Sequence, residues 1–281
     1  MSRFRFPLLF AGVLIVLAAT EALTSVAVGN PVTALLAGFG TAAVSLLAYR
    51  WLSRRIEKRS QIDELARPGA VRRLALGVLT GAGAFTAVMM LIAATGGWER
   101  MTDGSISGLL VAVGVMACVA VNEELLIRAV LVRILAERFG GWIALIVSSL
   151  IFGALHLTNP DATLWGALTI ALTGGLMLGA AYLATRSLWL PIGLHFGWNL
   201  TESGIFGTAT SGAGESTHTL WHTELSGPSL LTGGEFGPEG SVFAVAVCLA
   251  LAVVLLAVAV RNGGMRTKTV RATAPEQPSF Q

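Results

Sequence analysis

Apolar stretches long enough, or nearly so, to cross about 30 Å of hydrocarbon recur eight times along this chain. They lie near residues 7–28, 31–52, 74–96, 105–127, 141–157, 163–184, 189–206 and 241–260, the fifth and seventh being short. Composition agrees: of 281 residues, 54% are hydrophobic and only 12% charged, far more apolar than a soluble domain. The expected fold is an all-α, polytopic membrane bundle of about eight transmembrane helices. Basic residues gather in cytoplasmic loops. With the N-terminus inside, Arg3 and Arg5, the basic run from Arg50 to Arg73, Arg133, Arg138, Arg186 and the tail's Arg261, Arg266, Lys268 and Arg271 fall on one side, and only Arg100 falls opposite. Both termini are therefore expected in the cytoplasm. The net charge of +3 reflects this topology, not nucleic-acid binding.

No internal repeat or second domain is visible, so residues 1–260 read as one transmembrane domain and 261–281 as a disordered cytoplasmic tail. The first twenty residues have the look of a signal peptide, but the apolar run continues toward Val28 and the charge alternation favours its retention. Cys118 and Cys248 lie in separate spans and suggest no disulfide. The basic segment around Arg59 reads as an orientation anchor beside anionic lipid. The Gly- and Thr-rich connection from Gly207 to Gly240 is expected outside, and its His218 and His222 are a weak metal-ligand pattern. Arg greatly outnumbers Lys, with much Ala, Val and Gly, which hints at a GC-rich prokaryotic genome and hence a prokaryotic plasma membrane.

Ionised residues inside the spans carry the functional signal, because a charge at the bilayer centre costs about 3 kcal/mol on insertion scales. Residues four apart share a helix face, so Glu124 meets Arg128 in an ion pair while Glu123 points elsewhere and is free for water or metal. His156 closes an apolar helix one turn after Phe152. If Phe139 and Gly140 form the turn of a helical hairpin, Glu123 and His156 lie sixteen residues from it on either side and reach the same depth. His195 and Asn199 share one face of the short seventh span, where Pro191 and Gly193 suggest a broken helix lining a cavity. Glu202 shares that face and either tunes the site or simply nears the external surface. Glu21 is expected to contact a neighbouring helix.

Glu-Glu-x-x-x-Arg, then Phe-x-x-x-His, then His-x-x-x-Asn, on successive spans, resembles the CPBP family of intramembrane proteases. That family, also called Abi, includes the type II CAAX prenyl endopeptidases. The resemblance covers about residues 105–205, and GGEFGPEGS at 233–241 also looks like a stretch of bacterial members. It implies hydrolysis of a peptide bond in a membrane-associated peptide or protein, lipidated or not. Glu123 and His156 would activate water, Glu124 and Arg128 would support Glu123, and His195 and Asn199 would stabilise the oxyanion. Zinc stays open: Glu123, His156 and His195 could supply three ligands of a catalytic site, yet HExxH is missing. A histidine bound to zinc could not also donate to the oxyanion. The alternatives are a proton-coupled transporter, against which the missing inverted repeat counts, and a non-catalytic immunity or scaffold protein. His195 lies nine residues after Arg186, so the site is expected to open toward the basic, cytoplasmic edge.

Overall fold

The structure, a computed structural model, describes residues 5–266 apart from Ser216. Among the described residues, eight long helices run back and forth: α1 Arg5–Ser25, α2 Pro31–Ile56, α3 Ala70–Ala94, α4 Ile106–Phe139, α5 Gly141–Thr158, α6 Leu164–Thr185, α7 Trp189–Asn199 continuing as Leu200–Phe206, and α8 Val242–Arg261. All but α7 are long and apolar enough to cross a membrane. In α7 His195, Asn199, Thr201, Glu202 and Ser203 interrupt the apolar run, and most of these side chains are buried in protein. The outward faces carry exposed Leu36, Leu79, Ile146, Leu150 and Val253, an apolar surface that only lipid or another protein covers without cost. The chain is an integral membrane protein.

Side chains at the helix starts satisfy backbone N–H groups that have no partner within the helix. The Asn30 Oδ1 accepts from the Val32 amide at 2.9 Å with Pro31 in the first turn, Ser105 accepts from Gly108 at 2.9 Å, and Ser241 accepts from Ala244 at 3.1 Å. These caps lie at one end of the bundle. There too β1 Trp98–Asp103 pairs antiparallel with β2 Trp221–Leu225, joined further by an exposed Arg100–Glu224 ion pair. The sequence pattern predicts no strand at this end. In this pairing His222 sits opposite Thr102, so His218 and His222 do not share a helical face.

At the other end the basic segment is more than an anchor. Arg59 grips both oxygens of Glu64 at 2.6 Å, the Tyr49 hydroxyl donates to the same carboxylate, and Arg133 donates to Glu57 at 2.7 Å. Burial alone would raise the Glu64 carboxyl, but the Arg59 guanidinium, the Tyr49 hydroxyl and Arg133 outweigh it and hold the group below the usual carboxylate range. The Glu64 carbonyl accepts from Leu188 at 2.9 Å and the Ala66 carbonyl from the Trp189 indole at 3.0 Å, so α7 starts beneath this folded segment. The tail expected to be disordered from 261 is ordered as far as it is described. Arg261 ends α8, Gly264 accepts from Arg186 at 2.6 Å and Met265 accepts from Gly141 at 3.0 Å. Residues 267–281 lie outside the described residues.

Helix α7 is held against α3 by glycines on both sides. A Cβ on Gly193 would come 2.3 Å from the Leu74 carbonyl oxygen, and on Gly197 2.2 Å from that of Val78. One on Gly77 would come 2.5 Å from the Leu190 oxygen and on Gly81 2.2 Å from that of Leu194. Small residues four apart let helix backbones touch in lipid, where dispersion and packing replace the hydrophobic drive. Gly193 is thus a packing residue, and α7 is not broken at it.

Candidate active site

Glu124 and Arg128 are both 0% exposed and meet at 2.8 Å. A buried ion left alone costs several kcal/mol, so neither residue is stable there without the other. Arg128 also donates to the Gly174 carbonyl at 2.7 Å and lies with its guanidinium carbon 4.7 Å from the centre of the Phe152 ring. Gly174 belongs to a π-helical turn, Ala171–Gly175, in which the ladder shifts by one residue and leaves a carbonyl for an outside donor. Two further π turns, Leu125–Val132 and Leu200–Phe206, carry Arg128 and follow Asn199. Phe152 therefore has a physical role, as the aromatic cover over Arg128.

The same Glu124 oxygen that meets Arg128 accepts from His195 Nδ1 at 2.9 Å. The far nitrogen of that ring, Nε2, then faces Glu123 at 3.8 Å, beyond direct hydrogen-bond range. His156 Nδ1 donates to the Phe152 carbonyl at 2.8 Å, because a carbonyl can only accept. In the neutral form both rings thus carry their proton on Nδ1 and present a lone pair on Nε2. The two rings flank Phe152, their centres 4.8 and 6.4 Å from its own. Glu124 is consequently shared between the arginine and the histidine, a contact that the i, i+4 rule within one helix does not reveal.

Glu123, His156, His195 and Asn199 line one cavity of about 380 Å³. The α4–α5 hairpin does turn at Gly140, which takes φ 85°, and so brings Glu123 and His156 to one place. A second groove of about 450 Å³ approaches the same Glu123, Phe152 and His156 from the α1 side, between Leu14, Leu17, Leu126 and Leu155. Glu21 contacts a neighbouring helix as expected, accepting from Asn122 at 3.2 Å, and also borders this groove. Tautomers with Nδ1 donated away suit a metal ligand. Among the described residues, however, no three His, Cys, Asp or Glu side chains converge closely enough to hold a metal ion. The placement of Glu123, His156 and His195 therefore does not fit a three-ligand site.

Part of the cavity wall comes from the end opposite the basic one. Thr210, Ser211, Gly214 and Glu215 of the 207–240 connection form its wall, Asn159 donates to the Ser211 carbonyl at 2.8 Å, and the Asp161 amide to the Gly212 carbonyl at 2.9 Å. His156 follows Gly141 by fifteen residues, about 22 Å of helix rise, so it lies toward this far end. Glu239, from GGEFGPEGS, is a cavity residue that sequence reasoning assigned no role. Its Oε1 accepts from the Trp198 indole at 2.8 Å and its Oε2 from the Ser211 hydroxyl. Burial raises the Glu239 carboxyl above the usual range, against the pull of Ser211, the two histidines and Trp198. Glu202, far from nearing the surface, is 0% exposed and lies against Trp198 and Glu239.

A carboxylate, two histidines and an amide thus border one cavity inside a helical membrane bundle, an arrangement chemically able to activate water. Residues 104–201 match the family model described as Rce1-like: Type II CAAX prenyl endopeptidase Rce1-like. That stretch contains Glu123, Glu124, Arg128, Phe152, His156, His195 and Asn199, and it supports the CPBP kinship read from the motifs. The match supports a CAAX-type intramembrane protease in general. No curated protein and no solved structure matches the chain.

Proposed function

We propose that this chain is an intramembrane endopeptidase in which Glu123 and His156 activate water against a peptide bond. The observation that carries the reading is the convergence of Glu123, His156, His195 and Asn199 on one cavity around a fully buried Glu124–Arg128 pair. A water between Glu123 and His156 gives a proton to one of them and adds its oxygen to the carbonyl carbon, whose π pair moves onto oxygen. The Asn199 amide donates to that oxyanion. His195 joins it only with a second proton on Nε2, Glu123 and Glu124 then standing on either side as counter-charges. Collapse of the intermediate breaks the C–N bond, the stored proton passes to the leaving nitrogen, and an acid and an amine result.

The groove beside α1 supplies a lateral approach for the apolar or lipid-bearing part of the substrate. The basic end, with Arg133, Arg138 and Arg186, is proposed to face the cytoplasm of a prokaryotic cell, with both termini there. The decisive test incubates purified wild-type and Glu123→Gln protein with a membrane-peptide library read by mass spectrometry. New termini from the wild type alone are expected; equal products from both proteins would remove Glu123 from the chemistry.

A further inference from the structure

The far wall of the cavity carries a charge arrangement that water activation does not use. Glu239 borders the cavity with both oxygens fixed by neutral donors, Trp198 and Ser211. Behind it Glu202 is 0% exposed, with the Trp198 indole the neighbouring donor and, among the described residues, no cation in contact with it. No Lys or Arg lines the cavity among the described residues, and neither carboxylate belongs to an ion pair there. Among the described residues the other buried acids each meet an arginine, Glu124 with Arg128, Glu57 with Arg133 and Glu64 with Arg59, whereas Glu202 and Glu239, buried side by side, meet none. Next to the pair the cavity surface is apolar and polarisable, made by Met177, Leu178, Trp198 and Cys248. An aliphatic stem ending in a cation matches both parts, the stem on the apolar wall and the charge at the carboxylates, with the Trp198 face adding attraction.

We propose that Glu239, backed by Glu202, forms a subsite for a lysine or arginine side chain of the substrate peptide near the scissile bond. The proposal rests on the proteolytic reading for its substrate but not for its binding. A guanidinium fits better than an ammonium, since its planar fork can meet a carboxylate whose orientation two donors have already fixed. The sequence signal was the Pro-Glu in GGEFGPEGS, which brings an acid back into the bundle after the Gly207–Gly240 excursion.

The test uses Glu123→Gln protein in detergent, which binds without cleaving. It is titrated with the acetylated, amidated peptide Leu-Leu-Arg-Leu-Leu and with its citrulline counterpart, equal in shape but uncharged. The arginine peptide is expected to bind at least about tenfold tighter. Adding Glu239→Gln should reduce the preference to roughly twofold or less, and Glu239→Asp should keep most of it, because the charge remains. Equal affinity for the two peptides overturns the subsite without any variant at Glu239 having to fold. Wild-type cleavage of the peptide library reads the two ideas apart. Cut sites without enrichment of Lys or Arg overturn the subsite and leave proteolysis standing. Arginine preference in binding with no cleavage anywhere supports the subsite and removes proteolysis.

Discussion

The neighbouring acids Glu123 and Glu124 have different surroundings because a helix turns them about 100° apart. Glu124 is structural, its single oxygen Oε1 holding Arg128 and His195 together, whereas Glu123 is half-buried in the cavity wall with no hydrogen bond to its Oε2. Two predictions separate them. Glu123→Gln should abolish cleavage while leaving the melting temperature of the purified protein nearly unchanged. Arg128→Ala should lower stability by about 3–5 kcal/mol, because it leaves a buried carboxylate uncompensated, and activity should fall with the folded fraction. A melting temperature for Arg128→Ala equal to wild type would contradict the reading of Glu124. The metal question is testable at this scale too. Since the three candidate ligands do not converge, activity should survive strong chelators, and elemental analysis should find well under one equivalent of zinc. Loss of cleavage to chelator, restored by zinc, would show that Glu123, His156 and His195 close on a metal in the working enzyme.

At the scale of elements, what was legible followed from counting along one helix. The Glu124–Arg128 pair, the separate face of Glu123 and the hairpin that aligns it with His156 need only a 3.6-residue turn and equal rise, and the structure has all three. What counting cannot supply is contact between distant segments. Glu239 is far along the chain from Asn199 and enters the site through an irregular connection that no periodicity describes. The His195 bond to Glu124 likewise depends on α7 crossing α4. Gly193 shows the same limit: alone in the sequence it resembles a helix break, whereas in the fold Gly77 and Gly81 on α3 face this part of α7. Gly197→Ala should therefore be costly, with a Cβ only 2.2 Å from the Val78 oxygen. A destabilisation of about 1–3 kcal/mol is expected, together with loss of cleavage as His195 is displaced; Gly83→Ala, whose Cβ meets nothing within 4 Å, is the matched control. The loop carrying Glu64 makes a pH prediction. Its carboxyl is depressed in the folded state, so its contribution to stability is complete above the unfolded value near 4.5 and is lost as pH falls through the folded value. Melting curves from pH 7 down to pH 3 should show the gap between wild type and Glu64→Gln closing; a gap constant with pH would mean that the Arg59 contact does not act through charge.

For the molecule as a whole, eight helices with an ordered basic end and a strand-capped opposite end make the alternation of spans testable. In a background without Cys118 and Cys248, cysteine at exposed Arg138 should react with a charged thiol reagent only from the cytoplasm, and at exposed Asp103 only from outside. Labelling of both from one side would break the eight-span arrangement. Two openings reach Glu123 and His156: a groove against α1 and a cavity walled by α7 and the 207–240 segment. The seam of facing glycines bears on how such a machine lives in bilayers of different thickness. Backbone atoms, not flexible side chains, set the axial register of α3 and α7, so hydrophobic mismatch tilts them together instead of sliding one along the other. Helix α1 has no such lock; it rests on α2 through hydroxyl pairs, Thr20 with Ser45 and Thr24 with Thr41. Acyl-chain length should thus alter the width of the α1 groove, and with it KM, while kcat, set by the register of His195, stays almost constant.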